Sequence, residues 1–137
     1  MVSLGICLSL VATLQGPVVF VPVTEFTLVW THTIEKVRWE EDYVVRIDSV
    51  REQPALQAVQ ARVRGSAAGM EPPPDAVLRQ GWYHYTPAIP NPPELRLTRS
   101  EFTPDYEVCV PGRCHSMTEW MPSDGGITLL NACLQPG

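Results

Sequence analysis

The sequence predicts an all-β fold, a small single-domain barrel or sandwich of about nine short strands. Three observations predict it. Fourteen prolines and nine glycines lie scattered among the apolar runs of 137 residues, a spacing that suits strands and turns better than long helices. Apolar residues recur with period two, as where Phe26, Leu28 and Trp30 alternate with Thr27, Val29 and Thr31. No internal repeat is visible, and the length fits one domain over residues 1–137, long enough to bury a core without metals or staples.

The elements follow in order. From Val2 to Thr24 the chain carries no charge, nearly the length of a membrane span, but Gly16, Pro17 and Pro22 interrupt it and no basic n-region precedes it. Residues 1–23 are therefore either two core strands, Ile6 to Thr13 and Val18 to Val23 around a Leu14–Pro17 turn, or an atypical leader or anchor. Phe26 to Thr31 is a half-buried strand rich in strand formers. Glu35 to Asp42 is polar apart from Val37 and Trp39, and reads as a turn or wide bulge. Tyr43 to Ile47 resumes a strand. In Leu56 to Val63, Leu56, Ala58, Ala61 and Val63 oppose Gln57, Gln60, Arg62 and Arg64. Val59 breaks the pattern, and a short helix is the rival reading. Arg64 to Asp75 holds two glycines and three prolines and is irregular. Trp82 to Thr86 is an aromatic strand on which Trp82 and His84 share one side, Tyr83 and Tyr85 the other, and one pair is core. Ala88 to Pro93 is a stiff connector, and Leu95 to Thr98 alternates. Tyr106 to Val110 and Arg113 to Met117 form a hairpin around Pro111-Gly112, and Ile127 to Cys133 is the last strand.

The net charge of −5 and the lack of a basic run exclude nucleic-acid binding. Cys109 and Cys114 flank the Pro-Gly turn, so a hairpin can bring them within disulfide geometry. Cys7 and Cys133 bridge if the terminal strands are neighbours. Four cysteines allow three connectivities, buried free thiols are the plain alternative, and zinc is a third reading with His115 as the one nearby imidazole. The disulfides require an oxidising compartment.

The polar tract after Trp30 is the densest candidate surface. Trp30 and His32 share a face with Phe26 and Leu28, so His32 ends the core-facing row as a pocket histidine or a satisfied structural one. Glu35 either orients His32 for general acid–base work or is a solvated turn carboxylate. Glu40, Glu41 and Asp42 are oxygen ligands for a cation or, more commonly, a solvated face. Trp39 among these charges must pack on something or offer an interaction surface. The Gly65–Gly69 segment is a lid, an anion-cradling loop or a wide turn, and Ser66 within it is a nucleophile if His32 approaches it. No metal site and no cofactor is assigned.

The run from Phe26 to Lys36, followed by Trp39-Glu-Glu-Asp-Tyr43, resembles the opening motif of the bacterial domain of unknown function 1850 family. In that family an aromatic precedes His-Ser-Val-Glu and an acidic stretch. Gly65-Ser-Ala-Ala-Gly-Met-Glu-Pro-Pro73 resembles its glycine-rich second motif, and Asp75 to Tyr85 and the Cys109…Cys114 hairpin are similar to its proteobacterial members. Thr33 stands where Ser is usual, and Ala67-Ala68 where a further Gly is common. Many relatives carry a hydrophobic leader. The resemblance implies no established activity. It does imply a setting, because members are often encoded beside TAXI-type tripartite ATP-independent periplasmic (TRAP) transporters.

The expected function is thus a non-enzymatic accessory or binding protein of such a transporter. Its site would gather His32, Thr33, Glu35, Trp39, Glu40, Glu41, Gly65, Ser66 and Gly69. The alternative is a hydrolase using His32 with Ser66 or a metal-bound water. A third reading is a structural interaction protein docking through Trp39 and the proline-rich loop. The expected location is the periplasmic or extracytoplasmic face, with the cytoplasm as alternative. Membrane contact would be indirect or through the N-terminal segment.

Overall fold

In a computed structural model that describes residues 2–13, 15–31, 37–64 and 74–136, the period-two segments become strands of two sheets. In chain order they are β1 (Val2–Leu10), β2 (Val19–Val21), β3 (Glu25–Thr31), β4 (Arg38–Ile47), β5 (Pro54–Arg64) and β6 (Val77–Arg79). There follow β7 (Trp82–Tyr85), β8 (Leu95–Thr98), β9 (Glu107–Val110), β10 (Arg113–Ser116) and β11 (Ile127–Pro136). The smaller sheet runs β2-β1-β11-β8 and the larger β10-β9-β3-β4-β5-β7-β6. All pairings are antiparallel and neither sheet closes on itself, so the fold is a sandwich and not a barrel.

Alternation explains the core. Phe26 and Leu28 of β3, Tyr43 and Val45 of β4, Leu56 and Ala58 of β5 and Val108 of β9 all point inward and are buried. Ile6 and Leu8 of β1, Leu97 of β8 and Leu130 of β11 meet them from the smaller sheet. Stacked Phe26 and Tyr43 rings, 5.4 Å apart, join β3 to β4.

Three elements, β1, β4 and β6, differ from the sequence expectation, each for a physical reason. β1 starts at Val2 because β11 runs on to Pro136 and pairs with it along its whole length. Gly5 is needed there, since a Cβ would collide with the Val21 carbonyl oxygen of β2. Arg38 to Asp42 is not a turn but the first half of β4, and the irregularity falls later, between Asp42 and Tyr43. Across that step Asp42 faces Gln60 while Tyr43 faces Ala58, which leaves Val59 as the extra residue of a β-bulge. The same bulge explains why Leu56 and Ala58, then Ala61 and Val63, point inward on either side of a broken alternation. The segment is a strand and not a helix. Finally, β6 arises from a two-residue turn at Gln80-Gly81, both with positive φ (52° and 86°), which suits the twist of a hairpin.

Both expected disulfides are present, and no cysteine is free. Cys7–Cys133 ties β1 to β11 across 126 residues of sequence. Cys109–Cys114 joins directly opposed residues of the β9–β10 hairpin, where Gly112 supplies the positive φ of the Pro111-Gly112 turn. No helix of the described residues is long and apolar enough to cross a membrane.

One polar network sits inside. Arg99, 2% exposed, donates from Nε and Nη2 to the two carboxylate oxygens of Asp105 at 2.9 and 2.7 Å. It also donates to the Met121 carbonyl at 2.7 Å and to Thr128 Oγ1 at 3.1 Å. A bidentate, fully bonded guanidinium is the form in which a buried charge is tolerated. It fixes the 99–105 connection and places Tyr106 beside Trp30, their ring centroids 6.2 Å apart.

Candidate functional site

The acidic triplet divides between the two faces of the larger sheet because it lies on a strand. Glu40 and Asp42 point outward and Glu41 inward, in register with Leu28 of β3 and Ala61 of β5.

Outward, the charges are matched. Arg62 of β5 donates from Nε to Glu40 Oε1 at 2.7 Å, and from Nη1 and Nη2 to the Asp42 oxygens at 2.9 and 3.2 Å. Arg38 takes the other Glu40 oxygen at 2.7 Å. Thr27 Oγ1 donates to Asp42 Oδ1 at 2.6 Å. Burial would lower the Arg62 pKa, but the bonds to Asp42 and Glu40 outweigh it and hold the guanidinium above its ordinary value. Beside this network, His84 Nδ1 pairs with Gln60 at 3.2 Å, and Arg64 lies over the Trp82 ring at 5.5 Å. Of the two aromatic pairs on β7, Trp82 and His84 therefore take the outer side. Glu40 thus sits in a structural ion network, on the opposite face from Trp39 and Glu41.

Inward, the setting is different. Near the end where β3 leaves and β4 enters, the inner face carries Trp30, Trp39, Glu41, Tyr83 and Tyr85, all partly exposed, over a floor of fully buried Ala61 and Val63. Trp30 and Trp39 are cross-strand partners whose rings stack 5.9 Å apart and 8° from parallel. Trp39 meets Tyr85 edge to face at 6.3 Å, across the intervening β5. Leu78 of β6 extends the same face and is 56% exposed. The larger sheet has three strands more than the smaller, about 14 Å of extra width, so part of its inner face projects past its cover.

Glu41 is the one carboxylate in this cluster. Its Oε1 accepts a 2.6 Å hydrogen bond from the Tyr43 hydroxyl, and no cationic side chain among the described residues pairs with it. Burial pushes its carboxyl above the ordinary value, and the Tyr43 bond offsets only part of that. Burial and the Glu41 charge push the Tyr85 hydroxyl up to about 12. Tyr106 is raised by burial and by the charges of Asp105 and Glu41. Tyr43 is raised furthest, by burial and then by Glu41. Tyr43, Tyr85 and Tyr106 thus all feel one acid. Among the described residues the Trp39 Nε1 is buried with no hydrogen-bond partner, and none of their cations pairs with the nearby Glu41.

Of the residues singled out from sequence, Trp39 and Glu41 come together here and Glu40 does not. His32, Thr33, Glu35, Gly65, Ser66 and Gly69 lie outside the described residues. Sequence reasoning missed Trp30, Tyr85 and Tyr106 as neighbours of Glu41. A signal for the acid's orientation was present: Trp39, Glu41, Tyr43 and Val45 alternate, which continues the strand back through the triplet. Among the described residues, no group of three or more His, Cys, Asp or Glu is arranged to hold a metal ion.

Residues 26–117 match the family described as Domain of unknown function (DUF1850), which begins at Phe26 and takes in β3 to β10. No curated protein and no solved structure matches the chain. The match spans well over half of the sequence, and the chain belongs to the DUF1850 family.

Proposed function

We propose, with membership of the DUF1850 family as premise, that the protein is a non-enzymatic binding or accessory module of a TAXI-type TRAP solute transporter. It works on the extracytoplasmic, periplasmic side, and its site is the inner-face cluster around Trp39 and Glu41. One observation carries the binding role: an acid turned inward among aromatic rings, with no cation among the described residues paired to it, while both sequence neighbours are held by Arg62. A perturbed, unpaired carboxylate in a partly open apolar setting is a functional-site signal with a physical cause. The two disulfides support an oxidising compartment. The transporter as partner is supported by the setting in which similar proteins are encoded. His32, Thr33, Glu35, Gly65, Ser66 and Gly69 are kept in the proposed site on the strength of the family motif alone.

Affinity capture tests the reading. The purified protein is presented to the candidate transporter and its solute-binding protein, beside the variants Trp39→Ala and His32→Ala. Wild type is expected to enrich a transporter component and both variants to lose it, with unchanged near-ultraviolet circular dichroism as the control for folding. A wild-type protein that enriches neither component refutes the accessory role.

A further inference from the structure

We propose that the Trp30–Trp39–Tyr85–Tyr106 cluster with Glu41 is a binding site for a small organic cation of the ammonium class. The inference rests on the binding reading above and gives its ligand chemistry. The sign of the charge follows from the residues. Among the described residues the cluster's single formal charge is the Glu41 carboxylate, and the ring faces of tryptophan and tyrosine add negative quadrupole potential. The arginines of the neighbouring segments are engaged elsewhere: Arg38 and Arg62 on the opposite face with Glu40 and Asp42, Arg64 over Trp82, and Arg99 with Asp105. An anion would find no counter-charge among the described residues of the cluster.

The kind of cation follows from the ligand set. Calcium and magnesium require six or more oxygen ligands, and zinc four donors. One carboxylate among aromatic rings offers neither, whereas an alkylammonium group is satisfied by one carboxylate and by ring faces against its methyl groups. The residues of the cluster are partly exposed. Every described titratable group that faces Glu41 is a phenol: Tyr43 on its own strand, Tyr85 on β7 and Tyr106 ahead of β9. All three stay neutral near pH 7. Among the described groups of the cluster, Glu41 is therefore the one whose ionisation sets the affinity for a permanently charged ligand.

Choline and its uncharged isostere 3,3-dimethylbutan-1-ol are the probes, titrated into the full chain with disulfides intact. Tryptophan fluorescence and calorimetry report binding. Choline is expected to bind saturably, and the neutral alcohol at least about tenfold more weakly. Glu41→Gln keeps an acceptor for Tyr43 and is expected to lose about tenfold or more in choline affinity. Equal binding of the two probes, an unchanged Kd in Glu41→Gln, or no saturable choline binding overturns the proposal. Should Glu41→Gln not fold, the wild type decides. Its choline affinity is expected to fall from about pH 8 to about pH 4 as Glu41 protonates, and a flat profile overturns the proposal. If choline binding fails while the transporter is still captured, the ligand class is wrong and the accessory role stands. Failed capture with intact choline binding separates the two the other way.

Discussion

Glu40, Glu41 and Asp42 are consecutive acids on one strand, and the two faces of that strand treat them in opposite ways. On the outer face Arg62 bonds both Glu40 and Asp42, Arg38 and Thr27 complete their shells, and the charges are matched where they stand. On the inner face Glu41 has one phenol for a partner, and aromatic rings for the rest of its described surroundings. Outer acids satisfied within the sheet hold β3, β4 and β5 together. An inner acid with no counter-charge among the described residues costs stability, and that cost is offset when something else supplies the cation. Asp105 marks the far limit of the paired kind, because its partner Arg99 is almost wholly buried.

Substitutions that unpair an acid's partner should therefore destabilise, and removing the unpaired acid should not. The largest loss is expected from Asp105→Asn, which leaves the Arg99 guanidinium buried without its counter-ion. About 3 kcal/mol is expected in urea unfolding. Burial alone would raise the Asp105 carboxyl, but the bonds from Arg99 and Thr118 win and lower it below 3.8. Its contribution is thus present above that pH and lost as pH falls through the folded-state value. The loss caused by Asp105→Asn should shrink in strong acid, and a loss equal at all pH values would put the effect in packing. Next is Arg62→Met, which leaves Glu40 and Asp42 facing each other without the guanidinium. About 2 kcal/mol is expected at neutral pH. Thr27→Val removes the 2.6 Å bond to Asp42 but leaves both Arg62 contacts, and about 1 kcal/mol is expected. Smallest, and opposite in sign, is Glu41→Gln. Burial raises the Glu41 carboxyl above 4.5, so its contribution favours the fold below that pH and is lost as pH rises through the folded-state value. The variant should melt slightly above wild type near pH 8, and the gain should vanish near pH 4. A clear destabilisation at pH 8 would mean that Glu41 is paired after all.

The fold was legible in sequence wherever alternation was unbroken. Phe26, Leu28 and Trp30 declare their face, whereas alternation alone pairs Tyr83 with Tyr85 without saying which side of β7 is inner. The cysteine spacing around Pro111-Gly112 is enough to give one bridge. Three places were not legible. Charge density made Glu40-Glu41-Asp42 resemble a turn, because hydropathy cannot separate an inward acid from an outward one. Its strand register shows only when Trp39 and Tyr43 are counted with it. β6 hides behind a Gln-Gly turn, which lacks the usual Asn or Asp at the first positive φ. The Arg99–Asp105 pair and the approach of Tyr106 to Trp30 depend on chain crossings that local sequence does not encode. The family motif runs through both faces of β4, so recognising it drew attention to that strand without saying which of its acids looks inward.

The most direct measurement is the carbon-13 titration of the Glu41 side-chain carboxyl, assigned by its loss in Glu41→Gln and followed with the Trp39 indole resonance. A midpoint above 4.5, with the indole proton shifting over the same range, is the expected result for an inward, unpaired acid among aromatic rings. A midpoint at or below 4.5, with the indole unmoved, would show a solvated or ion-paired carboxylate and remove the site.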